Sequence, residues 1–508
     1  MNRPSQHPAA AIALAVLLAS ASVPALAQGQ PAPPVTPEGA QEVAKLLKEG
    51  LVQWLQSPDG PAVEFQGDPL VMPSGDRYAV ALPAFAVKDK DGSRLDVGAI
   101  RAEVTPLPDR SYGLTATLPS TYTLRKGNDV QATISLGRQQ LKGVWSAAFQ
   151  NFLSVDAALG DLKLTAAEED VEMTLGSVSV TQDLRPDGGS VFSGPAAIAV
   201  SNLSVTDSEG DEYMSLGGLT MEGVYTRLDL AKVARITEMA EQAARTKRDP
   251  SPAAVLEAMR GILGGATMRM RAVDVSVYDP DSDSTVTIGQ FSMRGGVEDL
   301  DRAVATVTLG LDGRGLGIDP TPGPAELMPD SLAIQISLNR IPAEVLMGVA
   351  NDMVAAPGGA GDPTGPALAA LTQAGTELRI DTLDLNLPIA AASVTGAGQF
   401  TQGAAFGATG GVVVTVRGLD AAVKQLQPKP GKKPDPSVQE TLGVLTMLQA
   451  LGQQGRDAQG REQRTYKIDV TQEGQFLLNG ADMMPLLGMG SGQPQPQPQQ
   501  GPRGGLKP

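Results

Sequence analysis

Three alternating carboxylates, Asp279, Asp281 and Asp283, stand where the first ligands of a calcium loop would stand. The rest of such a loop is missing. Position six is Ser284 where a glycine makes the turn, and position twelve is Gln290 where a glutamate would bind the ion with two oxygens. The expectation is a solvated hairpin turn and not a metal site. Other chemistry falls away by residue type. The chain has no Cys and one His, His7, which precedes the export cleavage site argued below, so the mature chain is left with neither. Ser-His-Asp triads, Cys-His dyads, imidazole or thiolate zinc sites and His-ligated haem all need those side chains. There is no Ser-x-x-Lys and no Gly-x-Ser-x-Gly, and Gly431-Lys432-Lys433 runs into Pro434 where a phosphate cradle needs Ser or Thr. Paired carboxylates for glycoside hydrolysis stay open, since 56 acidic residues offer many pairs, although Trp54 and Trp145 are the only tryptophans to stack on a sugar. No catalytic, cofactor-binding or metal residue is assigned, and no cofactor is expected.

Charge narrows the partners. The 508 residues carry a formal charge of −16; removing Arg3 with a leader leaves 39 basic against 56 acidic residues, or −17, which repels nucleic acid. Two basic groups stand out: Lys424, Lys429, Lys432 and Lys433, and Arg245, Lys247 and Arg248. They suit anionic lipid headgroups or, more simply, solvated loops.

The elements that position these residues begin with a leader. Arg3 in a short polar start precedes an apolar run from Ala9 to Ala21 and an Ala25-Leu26-Ala27 ending. That is the pattern of a secretory signal, with cleavage between Ala27 and Gln28, and its run of about 13 residues is shorter than a bilayer span. Export to a Gram-negative periplasm, with no lipid anchor and no transmembrane helix after processing, is the expectation. Residues 28–37 read as a flexible leader, and 488–508, a Gly then Gln-Pro stretch, as a disordered tail. Between them 38–228 reads as a helix followed by an antiparallel meander, and 229–487 as its continuation with helix-loop-helix insertions near 229–265, 342–375 and 419–460. Thr36 can cap the first helix, whose stripe runs through Val43, Leu46, Leu47, Leu51, Trp54 and Leu55. Frequent turns fit 58 Gly and 39 Pro with 4% aromatic residues. Asp91-Gly92, Lys126 to Asp129, Pro186 to Gly189 and Ser208 to Asp211 are hairpin turns by type. A phrase of aliphatic-Gly-x-aliphatic recurs at Leu159-Gly160, Leu175-Gly176, Leu216-Gly217 and Ile288-Gly289, where the glycine marks a bulge or a close strand approach.

A larger unit recurs three times. Arg227-Leu228-Asp229, Arg340-Ile341-Pro342 and Gly418-Leu419-Asp420 lead into helices, and Asp249-Pro250-Ser251, Asp362-Pro363-Thr364 and Asp435-Pro436-Ser437 start second helices. The exit strands match: Met268, Met270, Val273, Val275 and Val277 share the spacing of Leu378, Ile380, Leu383, Leu385 and Leu387, whereas Tyr466, Ile468 and Val470 lack the shift. A β-bulge is expected at Met270/Val273 and at Ile380/Leu383 to hold the apolar set on one buried face. The fold class is therefore α+β and β-dominant, an elongated antiparallel meander, open to curling into a groove, with inserted helix pairs in three repeats.

The ending Tyr466-Lys467-Ile468-Asp469-Val470 through Gly474-Gln475-Phe476-Leu477-Leu478-Asn479-Gly480, with the Leu-Gly phrases before it, resembles exported proteobacterial proteins of unknown function, including the YdgA-like kind. That resemblance implies a periplasmic setting and transfers no catalytic residue. A looser similarity to AsmA-type envelope proteins implies a β-groove that handles lipid. Three functions follow: a structural or interaction component of the cell envelope, a lipid-binding β-groove, and a carboxylate hydrolase. The first needs the apolar strand faces covered by helices. The second needs them open.

Overall fold

The protein is described by a computed structural model over residues 31–484, apart from 56–61, 90, 168–170, 208, 247, 249, 322–327, 347, 349–363 and 428–435. The leader with its Ala27/Gln28 site, the C-terminal tail, and Lys247, Lys429, Lys432 and Lys433 lie outside the described residues. Among the described residues strand far outweighs helix, in a long antiparallel meander that is not closed.

Helix α1 (Pro37–Leu55) starts where the capping residue puts it: Gly39 N donates to Thr36 Oγ1 at 3.1 Å. Its inner face buries Ala40 and Val43. The side chain of Trp54 lies outside the described residues. Ten strands follow: β1 (Ala62–Phe65), β2 (Leu70–Ser74), β3 (Arg77–Leu82), β4 (Phe85–Lys88), β5 (Ser93–Val97), β6 (Ile100–Leu107), β7 (Ser111–Thr117), β8 (Thr121–Lys126), β9 (Asp129–Ser146) and β10 (Asn151–Ala166). The long β9 pairs with β10 along one edge, but its other edge forks. Its first half takes β8 and, through it, β5, β4 and β1; its last residues take β7 and, through it, β6, β3 and β2. Tyr78, Val80 and Leu82 from one arm and Phe85, Val97 and Tyr122 from the other join one buried cluster with Leu136 and Leu141 of β9, so the two arms pack face to face. Each such side chain contributes about 1.5–3 kcal/mol by leaving water. This sandwich is the main hydrophobic core.

From β10 the sheet continues as a single layer: β11 (Glu172–Asp183), β12 (Arg185–Gly188), β13 (Val191–Thr206), β14 (Glu212–Asp229), β15 (Gly265–Asp279), β16 (Ser284–Glu298), β17 (Val304–Asp319), β18 (Ser331–Pro342), β19 (Glu377–Asn386), β20 (Ala391–Phe400), β21 (Ala408–Arg417), β22 (Gln453–Arg456), β23 (Glu462–Val470), β24 (Phe476–Leu478) and β25 (Ala481–Asp482). Each main strand pairs antiparallel with the next, and the four expected turns join paired strands. Helices α2 (Leu230–Thr246) and α3 (Pro252–Met259) sit between β14 and β15, α4 (Thr364–Ala374) between β18 and β19, and α5 (Leu419–Leu426) with α6 (Pro436–Leu451) between β21 and β22. The residue at each departure from the sheet is left-handed: Arg227, Arg340 and Gly418 have φ of 52°, 60° and 71°. Arg227 is held there by a two-pronged pair to Asp301 (2.9 and 2.7 Å) and lies against Gly264, where an added Cβ would stand 2.6 Å from its Nε. Four strands separate the first two departures and three separate the last two. In an antiparallel meander, an odd count puts α5 and α6 on the opposite rim.

The face switch expected in the exit strands has two different causes. At Ile380/Leu383 the pairing with β20 shifts register, as expected, and Asp381 is the additional residue, taking a 2.8 Å hydrogen bond from Ser337. At Met270/Val273 no bulge forms. The register runs unbroken on both sides of β15, and the switch falls one residue later at Asp274, whose φ is 51°. Asp274 belongs to a sheet-wide row. Gly137, Asp161, Gly176, Asn202, Gly217, Asp274, Gly289 and Gly315 occupy successive strands between pairs of constant register. Asp161, Asn202, Asp274 and Gly315 have φ of 53°, 51°, 51° and 68°. Each faces a glycine for a steric reason: a Cβ on Gly137, Gly176 or Gly217 would stand 2.8, 3.0 or 2.9 Å from the Cβ of the residue opposite. A left-handed residue in a strand puts two neighbouring side chains on the same side, as at a bulge. Leu159 and Leu162, on either side of Asp161, accordingly enter one cluster.

Candidate functional site

The register builds an apolar face one row at a time. Residues opposite each other in paired strands share a face. One row reads Leu141, Ala157, Val180, Ile198, Met221, Met270, Met293, Leu311, Ile334, Leu383, Val394, Val414 and Tyr466, from β9 to β23. At about 4.8 Å per strand it extends roughly 58 Å along the sheet. The neighbouring row contains Leu159, Val178, Val200, Leu219, Ala272, Phe291, Gly313, Leu332, Leu385, Ala392 and Val416. Past the left-handed row the face resumes with Leu136, Leu162, Leu175, Leu203, Leu216, Val275, Ile288 and Leu316. No charged side chain interrupts these rows.

The sandwich covers the start of this face, since Leu141, Ala157 and Leu159 are buried. Further along it is bare. Ile198 is 39% exposed, Met268 47%, Met293 42% and Leu309 58%, and no described element lies over them. This corrects the expectation of a buried apolar set: Met268, Val277 and Leu378 are exposed, and Val275 and Leu385 are half-buried. Val273 leaves the set altogether, because it shares a row with Gly218, Gln290 and Arg314 on the opposite, polar face. The helices close only the margins. Leu230 at the start of α2 is fully buried beside Phe149, Leu184 and Phe192, and Tyr466 donates to the Leu448 carbonyl of α6 at 2.7 Å.

The other candidate residues are structural. Asp279 to Asp283 form the β15–β16 hairpin turn, where Asp279 accepts from the Asp281 amide (3.1 Å) and the Ser282 hydroxyl (2.7 Å). Those bonds hold the Asp279 carboxyl below its ordinary range, the Ser282 hydroxyl contributing most. Among the described residues no group of three acidic side chains is arranged to hold a metal ion. Trp145 is buried, its ring centre 6.1 Å from that of Tyr112. Lys424 is on α5 and Arg245 in the last turn of α2, at opposite rims of the sheet.

Comparison with family models, with curated proteins and with solved structures gave no match in any of the three. What defines the protein's class is therefore its own architecture: an unclosed antiparallel sheet, roofed at one end and bare on one apolar face beyond it.

Proposed function

We propose that the protein carries lipid acyl chains on the bare apolar face of its sheet, as an exported component of envelope lipid handling. The observation that supports this most is the row from Ile198 to Val414, which stays apolar over nine strands while its middle is open to solvent. An exposed apolar area of that extent marks an interaction surface. Its composition favours hydrocarbon over a protein partner. Protein interfaces anchor on Tyr, Trp and Arg, whereas between β13 and β21 these two central rows hold one aromatic side chain, Phe291, among Met, Leu, Ile, Val and Ala. Unbranched Met221, Met270 and Met293 adapt to a mobile chain without a fixed shape. The structural-component reading needs a cover on this face. A second copy of the chain would supply one, and it is the alternative to test.

Mass spectrometry of lipid extracted from the purified protein, alongside light scattering, decides between them. Copurifying lipid and a monomer mass are expected. Met293→Asp and Leu311→Asp should each remove most of the lipid while the melting temperature changes by only a few degrees, since these positions are not in the buried core. A lipid-free dimer would overturn the proposal.

A further inference from the structure

The polar face of the same sheet carries a feature that the acyl-chain reading does not use. Arg269 and Arg271 of β15, Arg294 of β16 and Arg314 of β17 line a concavity of about 380 Å³ with Gln290 and Gln335. They lie one residue out of phase with Met270, Met293 and Leu311, hence on the other side of the sheet. Arg269 and Arg294 are directly opposite each other, a like-charge pairing that weakens a sheet. Elsewhere in the protein arginines in strands answer carboxylates, as Arg77 does Glu103, Arg125 does Asp96, Arg138 does Asp161 and Arg227 does Asp301. Here, among the described residues, none of the four makes an ion pair. Amides orient three of them instead. Gln290 Oε1 accepts from Arg271 (3.1 Å) and Arg314 (2.7 Å), and Gln335 Oε1 accepts from Arg294 (2.7 Å). Room for the last of these comes from Gly310, where a Cβ would stand 2.5 Å from Arg294 Nε. A neutral amide fixes a guanidinium and leaves its charge available. Two acids face the same group, Asp312 opposite Ser292 and Glu222 opposite Arg269, so four positive charges outweigh two negative ones in a chain whose total is −16.

We infer that this concavity binds a phosphoryl oxyanion, free or as the headgroup of a lipid, through Arg269, Arg271, Arg294 and Arg314, the last three held in place by Gln290 and Gln335. Guanidinium forks match the geometry of phosphate oxygens with two parallel N–H donors each, and several together suit a group with at least two negative charges. Asp312 and Glu222 lower affinity for singly charged anions, which cannot offset their repulsion as well.

The test has two arms on the full chain: calorimetric titration with inorganic pyrophosphate, and cosedimentation with phosphatidylcholine vesicles with and without phosphatidic acid. Saturable pyrophosphate binding is expected to weaken tenfold or more in the double variant Arg271→Gln/Arg294→Gln. Gln290→Leu, which leaves the charge unchanged, should weaken it several-fold. Arg101→Gln/Arg456→Gln alters net charge equally at exposed sites elsewhere and should bind as the parent does. Sedimentation only with phosphatidic acid, lost in the first double variant, identifies a headgroup as the source of the phosphoryl group. Lipid copurification should persist in every variant, because the acyl-chain face is on the other side, which keeps the two proposals separately testable. Absence of binding in both arms, or equal affinity in the two double variants, overturns the site.

Discussion

Asp161, Asn202 and Asp274 hold a left-handed φ inside long strands, a conformation that Asp and Asn tolerate and β-branched residues resist. The energetic consequence is asymmetric along the row. Asp274→Gly should change stability by less than about 1 kcal/mol, whereas Asp274→Val should cost about 1–2 kcal/mol. Across the pair, Gly217→Ala sets a new Cβ 2.9 Å from that of Asp274 and should cost about 1–3 kcal/mol, read by urea denaturation. Half of this was legible. The Leu-Gly phrase located Gly176, Gly217 and Gly289, but their partners are ordinary Asp and Asn residues whose φ depends on a strand far off in sequence. Titration gives a second test at this scale. Burial in the sandwich pushes the Tyr122 hydroxyl up to about 12. A raised folded pKa adds stability that is complete below the unfolded value near 10 and is lost as pH rises through 12. Melting temperature should therefore fall between pH 10 and 12, and Tyr122→Phe should flatten that fall.

At the scale of elements, two leucines report where the protein's stability lies. Leu141 is buried where β9 forks, and Leu309 stands 58% exposed on β17. Leu141→Ala should cost about 2–5 kcal/mol through lost burial and a cavity, and Leu309→Ala less than about 0.5 kcal/mol. Comparable losses in chemical denaturation would mean that something covers β17. Alternation and turn residues had placed Leu141 in the meander, Leu309 fell in its continuation, and Thr36 had marked the cap of α1. The fork was not legible, because the pairing of β9 with both β7 and β8 follows from long-range packing of two arms. The displaced switch in β15 has a related cause: spacing placed the face change between Met270 and Val273, while its exact position and the choice between an additional residue and a left-handed one depend on what the neighbouring strand supplies. β14 supplies Gly217. β18 supplies no glycine opposite Asp381, and there the register slips instead.

At the scale of the whole molecule, composition excluded chemistry more effectively than it identified function. The absence of Cys removed thiolate chemistry, and alternation defined one dry and one wet face. Whether the dry face was covered was a question of tertiary contact, which sequence could not answer, since an amphipathic strand reads the same under a helix or in the open. The meeting of the wet-face arginines was hidden for a similar reason. Arg269, Arg271, Arg294 and Arg314 are scattered over 46 positions and meet only through the register. Among the described residues no helix is long and apolar enough to cross a membrane.

Beyond β10 each main strand is bonded only to its neighbours in the meander. Stability in such an array is close to a sum of local terms, as in solenoid proteins. Removing or adding two consecutive strands restores both the chain direction and the facing of every row. The bare face therefore behaves as a ruler graduated in hairpins, about 9.6 Å to the division. The reach of the protein can be reset by gene duplication or deletion without redesigning the sandwich that anchors one end.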